Sequence, residues 1–399
     1  MKNLAGPKSQ PLRRLRKPGA PSPAPKHPLI LNGDAAVHSL VPGSDSPANA
    51  ALVKRVSGWS LSSTDTDIAV LVSSLSKTLT RKLKNLRSLN RDEFVGLLGS
   101  FFQKCAERIG LAISVDPSDP SFIPKAIEKL GFVIGREAAG LILEGCLILE
   151  VWEVIETLIL QKLAGNLNSV NLVEKLIEKN QSELLCLCVR EISDLKSSEL
   201  VLILKFFLSP TDDSLNSMIL VRKKLENDAL FAIEKATHRG LDEKVTALAR
   251  EASILLAMAH DRFSSSEVCL HYVFGSSNLD DLVLSSAILR LDGSEVLTLV
   301  RYFIKWLEKY QRFPEAGPCP SAMPVLGLTV CDSIPSLESV ARGLGLVLDE
   351  HFSYLVLSSE FHEEMRAIER LVKSFASEAE LCLPVNEIIK HLQLEARQY

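Results

Sequence analysis

The sequence is poor in aromatic residues, at 6%, and no stretch of five or more residues alternates cleanly between apolar and polar side chains. Both absences argue against a sheet, which draws on aromatic and β-branched residues with a period of two. Charge-free apolar runs are missing as well. The longest apolar stretch, residues 141–160, is interrupted by Glu144, Glu150, Glu153 and Glu156, so it reads as a buried helix pair rather than a membrane span. The N-terminus is basic and proline-rich and has no apolar core of a secretory signal. Eight cysteines occur (Cys105, Cys146, Cys186, Cys188, Cys269, Cys319, Cys331 and Cys382), most of them inside apolar runs. With no CxxC and no Cys/His cluster at zinc spacing, they read as reduced, buried thiols of an intracellular protein.

Motifs that carry chemistry are also lacking. There is no GxxxxGK[ST] phosphate loop and no GxSxG nucleophile elbow. Gly343-Leu344-Gly345 lies inside a helical pattern, where small residues permit close packing rather than dinucleotide binding. His362-Glu363-Glu364 does not begin an HExxH zinc motif, because Arg366 stands where the second histidine would be. No cysteine is followed at the sixth position by arginine, which removes the cysteine-phosphatase pattern. The carboxylate pairs Glu363/Glu364 and Asp280/Asp281 fall on helix faces expected to be exposed, with no apolar cleft to raise one pKa. The expectation is a non-enzyme with no cofactor, no metal, no membrane association and no small-molecule substrate.

What is abundant is leucine at helical spacing. Leucine keeps most of its rotamer freedom in a helix, so a leucine-rich, aromatic-poor chain favours helix over sheet. The patterning predicts an all-α protein, an irregular α-solenoid or helical stack behind a disordered N-terminal tail. Its segments are a basic Pro/Ser-rich tail (1–62), a helical stack (63–312), a Pro/Gly-rich loop (313–335) and C-terminal helices on the same stack (336–399). Helices are expected at about 123–133, 136–148, 150–163, 169–179, 181–192, 196–208, 214–238, 241–262, 265–273, 278–291 and 293–311. After the loop come 336–349, 350–357, 359–381 and 384–396. No fixed repeat period is found, so this is not a regular repeat array. Each helix pair still buries its apolar face only by stacking on neighbours, and the exposed flank of such a stack is a partner surface.

Charge is unevenly placed. Residues 1–60 hold nine basic residues and two acids, a net +7 in a chain whose formal charge is −4, so the remainder stands at −11. A basic tail on an acidic body suits a tail that meets an anion or a transport receptor. Within it Arg13, Arg14, Arg16 and Lys17 form a cluster of the kind import receptors read, and they are the nuclear-targeting candidates. Thr64–Asp67 caps the next element, on which Leu71, Leu75, Leu79, Leu83 and Leu86 share one face. Lys77, Arg81, Lys82, Lys84, Arg87 and Arg91 cover much of the rest. The plainer reading of these cations is a solvated face; the other is contact with nucleic-acid phosphate or an acidic partner. Asn90, with Glu93 three residues on, reads as a capping box for the following helix.

The aromatics that do occur cluster late. Phe303, Trp306 and Tyr310 recur at i, i+3 and i+7, the spacing of a core stripe. The alternative is that Tyr302, Trp306, Tyr310, Phe313 and, further on, Phe352 are anchors for a partner, since aromatic anchors dominate interface energetics. The segments "LVRYFIKWLEKYQRFP" (Leu299–Pro314) and "LESVARGLGLVLDEHFSYLVLSSEFHEEM" (Leu337–Met365) carry a Trp/Tyr helix, a loop, then Leu348-Asp349-Glu350-His351-Phe352 with Leu355. This pattern, over about residues 290–395, resembles the C-terminal helical region of the nucleolar protein 11 family. The resemblance implies a nuclear, nucleolar scaffold of the small-subunit processome that supports ribosomal RNA transcription and pre-18S RNA maturation. Its partners would be other processome protein subunits, β-propeller proteins among them, bound by protein–protein docking with no catalytic residues. Longer members carry an N-terminal β-propeller, which this sequence does not show, so functions that rest on the propeller are not implied. The competing expectations are a helical-repeat adaptor in another nuclear process and an RNA-contacting helical protein using the tail and helix 77–91.

Overall fold

The computed structural model describes residues 29–31, 53–55, 62–85, 90–116, 119–165, 169–238, 240 and 242–396. The chain divides into two compact units, residues 1–71 and 72–399. In the first unit, β1 (Leu29–Leu31) and β2 (Val53–Arg55) pair antiparallel with Ile30 opposite Lys54. No sheet is expected from the sequence, so this short ladder is a departure. Pro28 before β1 and Asn32-Gly33 after it keep its three apolar residues from joining a helix. The rest of the tail, including Arg13, Arg14, Arg16 and Lys17, lies outside the described residues.

The fold is all-α. Among the described residues sixteen α-helices follow one another, with three short 3-10 segments. Helix α1 spans Ser63–Leu83, and Ser62, rather than the Thr64–Asp67 cluster, caps it by accepting the Asp65 N–H at 3.0 Å. In the second unit α2 (Arg91–Ile109), α3 (Phe122–Leu130), α4 (Arg136–Leu149) and α5 (Trp152–Leu160) pack in sequence. Asn90 does cap α2, accepting from Asp92 N–H at 3.1 Å. The capping box is not completed, because Glu93 turns instead to Lys82 at the end of α1. The expected pair at 141–160 is present as α4 and α5, broken at Glu150 with φ 55°. No helix among the described residues is long and apolar enough to cross a membrane.

Helices α6 (Ser169–Glu178), α7 (Ser182–Glu191) and α8 (Ser197–Leu208) lead into α9 (Asp212–Thr237) and α10 (Glu243–His260), a long pair packed along their lengths. Helix α11 (Ser265–Phe274) runs through the middle, touching α7, α8 and α9, and Glu267–Phe274 are all buried. A helix covered on every side has no polar face to show. Helices α12 (Asp281–Ile288) and α13 (Gly293–Arg312) complete the stack.

The segment 313–335 is not the open loop expected from its prolines. It carries α14 (Ala322–Leu326), closed by Gly327 at φ 74°, and a 3-10 turn at Thr329–Ser333. Ala322, Leu328, Val330, Cys331 and Ile334 are buried, packing the segment onto α10 and α11. Prolines at this density stop a long helix, but they leave room for single turns whose apolar residues still seek the core. Helix α15 (Leu337–Leu357) replaces two expected helices, and the break between them survives as a kink at His351 (φ −117°, ψ 16°). Helix α16 (His362–Ala396) runs through Pro384, where the sequence predicts a stop. Both pack on α13.

Gly343 shows why α15 can approach so closely. A Cβ there would stand 2.6 Å from Phe303 Cζ and 3.1 Å from Phe274 Cδ1, whereas at Gly345 it would meet nothing within 4 Å. Gly343→Ala is therefore expected to destabilise the protein by about 1–3 kcal/mol through overpacking. Gly345→Ala should be neutral or stabilising by up to about 1 kcal/mol, because glycine is costly in a helix. Urea unfolding of the two variants measures the contrast, and equal effects would contradict this packing.

Candidate docking surfaces

The predicted aromatic anchors fall into two groups. Tyr302 and Trp306 are wholly buried and Tyr310 nearly so, all on α13. They join Phe263, Phe274, Phe303 and His271 in one cluster, with centroid separations of 4.7 Å for Phe263–His271, 4.9 Å for His271–Trp306 and 4.8 Å for Phe274–Phe303. These rings are the core of the protein itself and cannot anchor a partner, which corrects the docking reading for Tyr302, Trp306 and Tyr310. Tyr310 also donates its hydroxyl to the Pro335 carbonyl at 2.7 Å and so pins the proline-rich segment. Phe313 is half-buried beside Arg312, whose guanidinium lies 5.2 Å from its ring centre. Phe352 alone of the five stands out in solvent, 63% exposed.

His271 organises the buried cluster. One ring nitrogen, Nε2, lies 3.0 Å from the Ala259 carbonyl, and the other, Nδ1, lies 3.0 Å from the Tyr302 hydroxyl. A carbonyl can only accept, so Nε2 carries the hydrogen and Nδ1 accepts from Tyr302. Both nitrogens are thus satisfied in the neutral form, and burial pushes the imidazole pKa down to about 3. At the cluster's edge Lys309 pairs with Asp261 at 2.8 Å and lies 5.4 Å from the Phe263 ring centre. Seven of the eight cysteines are buried and none is paired, and burial raises the Cys105 thiol to about 11. Cys382 is the exposed exception. Among the described residues no group of three or more His, Cys, Asp or Glu side chains is placed to hold a metal ion.

Two surfaces of the second unit carry the remaining sequence-predicted residues. The first is the end of α15. Leu355 is buried and holds the turn, while Phe352, Tyr354, Val356 and Leu357 are exposed, Leu357 by 83%. His351 fixes the kink by donating from Nε2 to the Ile288 carbonyl at 2.9 Å, which brings exposed Leu289 alongside. From Gly343 to Met365 there is no lysine or arginine, but five acids: Asp349, Glu350, Glu360, Glu363 and Glu364. Glu364 is held by Arg301 and Glu350 accepts from Ser285, so the apolar ridge is bordered by three exposed acids, Asp349, Glu360 and Glu363. Sequence reasoning found Phe352 through its motif and missed Val356 and Leu357, because periodicity alone ascribes them to a buried stripe.

The second surface is the solvent side of α1. Lys77, Arg81 and Lys84 are exposed there, as is Arg91 at the start of α2, and Lys82 is half-buried by its pairing with Glu93. Arg87 lies outside the described residues. No family model matches the chain, and comparison with curated proteins finds no relative. The resemblance of the C-terminal third to the nucleolar protein 11 family therefore stands on its own residues.

The buried imidazole makes stability depend on pH. Its folded pKa lies below the unfolded value of about 6.5, so the unfolded chain binds the extra proton first. The stabilisation is complete above pH 6.5 and is lost as pH falls from there toward 3, by about 1.4 kcal/mol per unit. His271→Gln should lose stability at neutral pH and flatten that dependence. Denaturant midpoints between pH 7 and 5 check it, and an unchanged slope in the variant would rule out His271 as its source.

Proposed function

We propose that this chain is a non-catalytic helical scaffold of ribosome biogenesis, acting in the nucleolus. It docks on β-propeller subunits of the small-subunit processome and supports ribosomal RNA transcription and pre-18S RNA maturation. The single observation that carries the reading is the apolar ridge at the end of α15. Phe352, Val356 and Leu357 lie exposed within six residues, in the same Leu337–Met365 segment whose sequence carries the family resemblance. Exposed aromatic and aliphatic side chains grouped this way lose water-contacting area only by meeting a partner. Their border of acids favours a partner whose contact edge is basic. Leu355 beneath the ridge is 1% exposed, so the ridge is held on a fixed backbone rather than on a free end.

The test is affinity purification of the full tagged chain from nuclear extract, beside a Phe352→Asp/Leu357→Asp double variant. Both positions are exposed, so the variant should keep its helicity and its unfolding midpoint. The wild-type chain should enrich β-propeller processome subunits. The variant should lose them, at about the 2 kcal/mol or more that truncating an interface anchor costs, which is roughly a thirtyfold drop in affinity. Retention of the same partners by the variant would move docking elsewhere, and a coherent set of other partners would sink the ribosome-biogenesis assignment.

A further inference from the structure

The cationic side of α1 is independent of the docking ridge. From Ile68 to Asn90 the sequence contains Lys77, Arg81, Lys82, Lys84 and Arg87 and no acid. Leu75 and Leu79 are buried on one side of the helix. Lys77, Arg81 and Lys84, at i, i+4 and i+7, are exposed on the other, spread over about 10 Å at a rise of about 1.5 Å per residue. None of the three makes an ion pair among the described residues, whereas Lys82 between them pairs with Glu93. Elsewhere in the second unit Lys205, Lys305, Lys309, Arg301 and Arg342 each hold a carboxylate, while other surface cations such as Lys223, Lys244 and Arg250 make no ion pair among the described residues; what sets the α1 face apart is its acid-free run of cations.

The bland account of such a face is solubility and compensation of the helix dipole. The dipole rewards cations only in the last turn. That covers Arg81 and Lys84 but not Lys77, which stands almost two turns from the end. Like charges three and four apart on a helix repel by a few tenths of a kcal/mol per pair, and here no acid offsets them. The arrangement costs stability in the isolated protein and is recovered only when anions sit against it. An acidic protein segment would need apolar anchors as well. The neighbouring face residues are Ser73, Ser74 and Thr80, small or polar, with Val70 as the one exposed large apolar side chain, a single residue and not a cluster of anchors.

We propose that Lys77, Arg81 and Lys84 form a binding face for the phosphate backbone of a nucleic acid, read without regard to base sequence. Binding through phosphates releases condensed counterions, so affinity falls steeply with salt.

The experiment is fluorescence anisotropy with the full chain and a labelled unstructured RNA of about twenty nucleotides, titrated across a range of salt concentrations. Three proteins are compared: wild type, Lys77→Glu/Arg81→Glu/Lys84→Glu, and a control reversing three exposed cations elsewhere, Lys223→Glu/Lys244→Glu/Arg250→Glu. Both variants change net charge equally, so long-range attraction, including that of the tail, is matched. The face variant should bind about tenfold or more weakly at low salt, and its log–log salt slope should shrink by about 2, three contacts at about 0.7 each. The control should stay close to wild type. A milder Lys77→Gln/Arg81→Gln/Lys84→Gln variant, checked for helicity, should lose affinity in the same direction. Equal losses in the face and control variants overturn the proposal, as does absence of RNA binding by the intact chain at low salt. Displacement of the RNA by poly-glutamate at equal charge concentration would assign the face to an acidic protein partner and overturn it too. None of these results depends on the processome reading, since the ridge residues are intact throughout.

Discussion

A single buried imidazole constrains how the second half of the stack can be assembled. His271 must place Nε2 on the Ala259 carbonyl and Nδ1 on the Tyr302 hydroxyl at the same time. Leaving either nitrogen unpaired in that interior would cost about 1–3 kcal/mol. Those two contacts fix three helices at once: α10 through its last turn, α11 through the histidine itself, and α13 through Tyr302. The aromatic rings then close around the fixed centre, with Phe263 and Trp306 both about 5 Å from the imidazole centroid. Rings of this size are each worth about 2–3 kcal/mol on burial, but burial has no direction. The two hydrogen bonds supply the direction, choosing one register of α11 against α13 from the many that apolar surface alone would allow.

A second device repeats around this centre. Glu267 and Glu295 are the third residues of α11 and α13, and each accepts the backbone N–H of its own capping residue, Ser264 at 2.7 Å and Asp292 at 2.8 Å. Both side chains are buried, and each also binds a lysine from a neighbouring helix, Lys305 at 2.7 Å and Lys205 at 2.9 Å. A capping glutamate ordinarily lies at the surface and serves only its own helix. Here it ends one helix and ties it to the next, so local start signals and tertiary packing are enforced by the same carboxylates. The lysines remain 38–39% exposed at the side chain, so the pairs themselves add modestly. Their effect is to satisfy carboxylates that the packing has already taken out of water.

Much of the element order was legible because capping residues and 3.6-residue periodicity are local. The expected 136–148, 265–273 and 293–311 end within one residue of α4, α11 and α13. What local signals could not convey is depth. Periodicity identifies an apolar face without saying whether the other faces are covered as well. So Tyr302 and Trp306 could be read as a core stripe or as anchors, and only the packing of α11 and α15 around α13 settles them as core. The same blindness runs the other way at Val356 and Leu357, which continue an apolar pattern beyond the point where neighbours cover it. Proline misled in a third way. It marks where a helix interior is disfavoured, yet α16 continues through Pro384, and 313–335 folds back on the core through the apolar residues between its prolines. Asn90 illustrates a competition: Glu93 suits a capping box, but an available lysine at the end of α1 takes it.

The inward use of the aromatics has a consequence for the outside. Trp306, Tyr302 and five further rings are committed to the interior, so none of them is offered to a partner. Among the surfaces the second unit presents, the apolar ridge bordered by acids and the cationic side of α1 obey different physics. Contact at Phe352, Val356 and Leu357 rests on removing apolar area from water and persists, or strengthens, as excluded salts are added. Contact at Lys77, Arg81 and Lys84 rests on displacing counterions and weakens as any salt is added. Ionic strength therefore separates the two surfaces in the intact chain. Apolar docking is the term that persists in a high-salt wash, and backbone contact is the term that disappears.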